Sequence, residues 1–147
     1  MPNKPTAEDA GIIMRLYDLR RESEMRKARA WYAGWWPASV DDVLQVLNSS
    51  GTQENAWFRQ VNGYWDMAAS FVLRGALNEE LFVDSCGEMW FILAKLEPFL
   101  KEVRQKAGIP HAFMRVEEIA TRTKEARERL AMMVKRAEAR RAASAKA

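Results

Sequence analysis

Phe82, Cys86, Met89, Leu93, Leu96, Leu100 and Val103 recur at alternating steps of four and three residues, an apolar seam lasting about three heptads. Only an α-helix lines up positions at that spacing, and a helix with one apolar stripe has to bury it against another element. No stretch of the chain alternates apolar and polar residues long enough to predict a strand. The cover for the seam is therefore other helices, and the fold class is all-α.

Capping signals and turn residues divide the chain. Thr6 opens T-A-E-D, a capping-box-like start, and predicts a first helix from Ala7 to Ala33, closed by Gly34 and Pro37. Ser39 opens a short helix carrying Val40, Val43, Leu44 and Leu47, and Asn48 to Gly51 is a turn. Thr52 caps a helix from Gln53 to Arg74 that is apolar over most of its surface, the mark of a central element. Asn78 caps the seam helix, in which Pro98 predicts a kink and Gly108 and Pro110 an end. The last helix runs from Ala112 to Arg140 with Phe113, Val116, Ile119, Ala126, Leu130, Met133 and Ala137 on one face. The expected architecture is a single-domain bundle of four long helices and one short one. It spans residues 1–141, with 142–147 a small, polar, frayed tail.

A length of 147 residues suits one domain and buries enough surface to need no disulfide or metal. Cys86 is the only cysteine, so no intrachain disulfide forms. The N-terminus lacks a secretory apolar stretch, and the longest apolar run, Met89 to Ala94, is far too short to span a bilayer. A cytoplasmic setting is the expectation.

Three segments carry a resemblance: L-Y-D-L-R-R-E-S-E-M-R-K-A-R-A-W-Y at Leu16 to Tyr32, G-Y-W-D-M-A-A-S-F-V-L at Gly63 to Leu73, and Gly75 to Arg104. Within the last, G-A-L-N-E-E-L-F and G-E-M-W-F-I-L-A-K-L-E-P-F-L-K-E-V-R are the telling parts. Together they resemble an uncharacterised family of small all-helical bacterial proteins, a domain of unknown function. The resemblance covers two-thirds of the chain, omits the basic C-terminal region, and implies a fold without an activity or a site.

Motif chemistry is sparse. The only histidine is His111, and Gly108 stands where the Glu-x-x-His of a carboxylate-bridged metal site needs an acid. Glu54, Asp66 and Glu88 lie on apolar-rich helices and would have to converge to bind metal; the plainer expectation is a buried polar network involving Arg59, Asp66 and Glu88. Cys86 sits in the apolar seam, where a thiol behaves as a small hydrophobe. No catalytic residue, metal or cofactor is implied, and no small-molecule ligand is identified.

Two surfaces remain as interaction candidates. The W-Y-A-G-W-W-P segment, Trp31 to Pro37, reads as a corner plug between helices, with Trp35 or Trp36 the ring expected at the surface. Charge is distributed unevenly: residues 1–36 carry a net +2, residues 37–110 a net −4 and residues 111–147 a net +5. The basic C-terminal helix, with Lys135, Arg136, Arg140 and Arg141, suits nucleic acid or an anionic surface. It lacks the interleaved aromatics of most nucleic-acid readers, so nucleic acid is the weaker partner. The leading expectation is a non-enzymatic helical interaction or structural protein that pairs as a homodimer through the seam helix and the last helix.

Overall fold

The computed structural model describes residues 3–147, and among them every regular element is helical. Thr6 opens α1 (Ala7–Arg20) with a complete capping box: its hydroxyl accepts from the Asp9 amide at 3.1 Å, and the Asp9 carboxylate accepts from the Thr6 amide at 2.8 Å. The predicted long first helix does not continue. Glu22 leaves the helical path at ψ 144°, and its carboxylate accepts from the Glu24 and Met25 amides at 3.1 and 2.9 Å, starting α2 (Ser23–Gly34). A glutamate has taken the N-cap role that sequence reasoning assigns to shorter side chains.

Ser39 caps α3 (Val40–Asn48), and Thr52 caps α4 (Gln53–Leu73). The Asn55 side chain donates to the Val46 and Leu47 carbonyls at 2.9 and 3.0 Å, closing the C-terminus of α3 onto α4. α4 is central as expected, with Phe58, Val61, Trp65, Ala68, Ala69 and Val72 buried between α2 and α7.

The predicted seam helix is two helices, α5 (Glu79–Ser85) and α6 (Glu88–Ala107), separated at Cys86 and Gly87. The seam survives the break, and all seven of its residues are buried. α6 runs on through Pro98 without interruption. The predicted last helix also divides, into α7 (Met114–Thr121) and α8 (Lys124–Ala145), with the Thr123 hydroxyl accepting from the Ala126 amide at 3.0 Å. α8 passes Arg141, beyond which composition predicts fraying, and stays helical to Ala145.

The helix count is therefore eight rather than five, in one helical domain. α6 lies between α3 and α8, α7 bridges α4 and α8, and α1 is held by α2 and α5. The stripes on α6 and α8 that were expected to face a second copy pack against each other inside the chain. Knobs within one chain and across a dimer look alike in sequence, so periodicity alone does not assign such a stripe to a second copy.

Candidate functional site

Aromatic residues from the end of α2 form one corner of the molecule. Trp31 stacks on Trp35 with centroids 5.4 Å apart, and Tyr32 stacks on Phe58 at 5.9 Å. Tyr32 is fully buried, whereas Trp31, Trp35 and Trp36 are half-buried, so the corner is largely structural and neither Trp35 nor Trp36 stands free.

Beneath the corner lies Lys95, a wholly buried lysine on α6. Its Nζ donates to the carbonyls of Tyr32 at 2.5 Å, Ala33 at 3.2 Å and Trp35 at 2.6 Å. These groups belong to the last turn of α2, where carbonyls lack helical partners and the helix dipole is negative. The ammonium also sits 3.8 Å from the centroid of the Trp36 ring and 4.8 Å from that of Phe91. Burial, followed by the nearby charges of Arg141 and Arg140, pulls its pKa down to about 7. Three acceptors favour the charged form, since a neutral amine has only two N–H groups to share among them. Lys95 thus acts as a C-cap and ties α2 to α6.

The basic end of α8 docks on the same corner. Arg141 donates from Nε to the Pro37 carbonyl at 2.6 Å and from Nη2 to the Lys95 carbonyl at 3.2 Å, and its guanidinium lies 5.0 Å from the Phe99 centroid. Arg140 is exposed and approaches Trp36 at 5.9 Å. Lys135 and Arg136 are exposed and enter no ion pair among the described residues. The predicted basic surface is therefore split, with Arg141 committed to packing and Lys135 and Arg136 facing outwards.

A second polar cluster joins two of the three unexpected helix breaks, those before α2 and before α6. Glu88 in the first turn of α6 accepts from Arg29 Nε at 2.9 Å and Arg29 Nη2 at 2.5 Å, and from the Trp65 indole at 3.1 Å. Arg20 lies 5.2 Å from the Trp65 centroid. The expected association of Arg59, Asp66 and Glu88 does not form: Arg59 is exposed, Asp66 pairs with Arg115 at 2.6 Å, and Glu88 is held by Arg29. Interhelix partners from distant sequence decided the pairings, and periodicity carries no information about those.

Nor does Glu54 join these acids in a cluster: no group of three or more His, Cys, Asp or Glu among the described residues could hold a metal. Cys86 is buried, and burial raises its thiol pKa, which disfavours the nucleophilic thiolate. His111 is exposed, with Nδ1 3.1 Å from Met114 Sδ. No helix of the described residues is long and apolar enough to cross a membrane.

Residues 5–123 match the family described as a domain of unknown function, DUF4760. The chain belongs to that family. The match spans α1 to α7 and ends at the Thr123 cap, so the DUF4760 region holds both Lys95 and the Arg29–Glu88 pair, while α8 lies outside it. No curated protein and no solved structure matches the chain.

Sequence reasoning missed Lys95, yet a signal was present. Phe91, Ile92 and Phe99 lie three or four residues from it, so every helical neighbour on that side is apolar.

Proposed function

We propose that this DUF4760 chain is a non-enzymatic helical interaction module that pairs with a second copy of itself across α1 and α4. The observation that carries the reading is an apolar groove of about 280 Å³ between these helices, lined by Ile12, Leu16, Leu19, Met67 and Phe71. Leu19 and Met67 are 47% and 42% exposed, whereas the stripes of α6 and α8 are already covered. Met67 also has Gly63 one turn before it on the open face of α4, and a Cβ added at Gly63 meets no atom within 4 Å. Reversing a second α4 about a two-fold axis near Trp65 brings the large Met67 level with the second copy's empty Gly63 position. A self-complementary face is what a two-fold pair requires.

Light scattering and sedimentation across micromolar concentrations test this reading. The expected result is a dimer that Met67→Glu converts to a monomer with an unchanged helical spectrum. A strict monomer in the unaltered chain overturns it.

A second reading, binding of nucleic acid or another polyanion by α8, draws support from the outward-facing Lys135 and Arg136. It predicts salt-dependent binding that Lys135→Glu with Arg136→Glu abolishes. Charge reversal is the better probe than truncation, because Ala137 and Arg141 are part of the packing.

A further inference from the structure

Beyond Ala137 every residue of the chain is exposed except Arg141, so this side chain is the main anchor for the last turns of α8. The helix buries only Ala126, Leu130 and Ala137 along its 22 residues, which leaves little apolar area to fix its end. Arg141 grips the corner through the Pro37 carbonyl at 2.6 Å and the Lys95 carbonyl at 3.2 Å.

That corner already holds a charge. The buried Lys95 ammonium donates to the carbonyls of Tyr32, Ala33 and Trp35, just before Pro37, so two cations share one stretch of backbone. Arg140 approaches the Trp36 ring that covers the ammonium. None of the three cations pairs with a carboxylate among the described residues. Like charges with few polar neighbours repel strongly when water is excluded.

The other ionisable neighbours are held elsewhere or lie in water. Burial raises the Tyr32 phenol of α2 far above its usual range. On α3, Asp42 accepts from the Ala38 and Ser39 amides, and Asp41 acts on Lys106. Arg104 holds Glu117 of α7, Arg29 holds Glu88 of α6, and Glu97 of α6 is exposed. Glu138 of α8 is also exposed and acts on Arg141.

We propose that the end of α8 is a proton-sensitive latch on the aromatic corner: the charged Lys95 repels Arg141 and Arg140 and loosens the last turns, and loss of its proton seats them. Linkage fixes the direction. Both arginines weaken the hold of Lys95 on its proton, so that proton weakens their docking by the same factor. Docking is constant below about 7, the pKa of Lys95 with α8 seated, and strengthens above it until the higher value of the released state is passed.

Hydrogen exchange of the full chain at about pH 6 and about pH 9, corrected for the intrinsic rate at each pH, tests the latch, because a released helix end frays. Amides of residues 138–145 are expected to exchange faster than those of α4, which report opening of the core, and to slow about fivefold or more at the higher pH. Lys95→Met is expected to remove that difference and His111→Gln to leave it in place. Exchange at the end of α8 as slow as in α4, equal protection at the two pH values, a difference that survives Lys95→Met, or one that His111→Gln removes would each overturn the latch. A second measurement follows the Lys95 ε-carbon by NMR against pH. Arg140 is exposed, so Arg140→Gln keeps the fold even where circular dichroism shows that Lys95→Met does not. Arg140→Gln and Arg141→Gln are expected to raise the Lys95 midpoint, and a midpoint that neither moves overturns the coupling.

Discussion

Lys95 is the residue at which burial and charge conflict most sharply. Its ammonium satisfies three carbonyls at the end of α2, yet burial and two arginines on α8 lower its pKa to about 7 from the model-peptide value of 10.5. Between those values the unfolded chain binds more protons than the folded one, so stability rises with pH through that window and levels off above it. Below the window both states hold the proton and the slope vanishes. Urea unfolding at about pH 6 and about pH 9 is expected to show greater stability at the higher value. Lys95→Met removes this slope. It also removes the side-chain donor shared by the Tyr32, Ala33 and Trp35 carbonyls, of which Tyr32 keeps a bond from the Trp35 amide, at a cost of about 2 kcal/mol at neutral pH.

At the scale of helices, the ends matter more than the middles. Arg29 reaches from α2 to Glu88 at the start of α6, and Glu88 also accepts from Trp65 on α4, so one carboxylate joins three elements. Glu88→Ala leaves a half-buried guanidinium and a buried indole without their acceptor and is expected to cost about 2 kcal/mol in urea unfolding. Glu88→Gln keeps an acceptor for Trp65 and is expected to lose less. Thr123→Ala, which removes the cap of α8, is expected to cost about 1 kcal/mol. These ends also mark what was legible in the sequence. The seam from Phe82 to Val103, the caps at Thr6, Ser39, Thr52 and Asn78, and the central character of α4 all follow from local spacing. The break at Glu22 does not, because no glycine or proline marks it and a side-chain cap creates it. The break at Gly87 escaped because the apolar seam continues across it. Lys95 and Glu88 take their roles from partners roughly sixty residues away, a separation that helical periodicity does not encode.

For the whole molecule, the question is which face is left after the helices have covered one another. α4 is buried along one side, but its exposed residues include Met67, which lines the groove beside α1, and Gly63 one turn before it. A glycine inside a helix costs about 1 kcal/mol relative to alanine, and nothing within the chain requires one at position 63, since a Cβ there would meet open space. Gly63→Ala therefore separates two explanations. If the face is simply solvent-exposed, the substitution raises stability by about 1 kcal/mol and changes no assembly property. If a second copy packs Met67 against this position, the isolated chain still gains that stability, while the added methyl group weakens association. The expected outcome is the second: unfolding at high dilution shifts to higher urea, and sedimentation shows a larger dissociation constant. The bulkier Gly63→Leu should abolish pairing altogether. A gain in stability with unchanged association would place any contact between copies elsewhere on the surface.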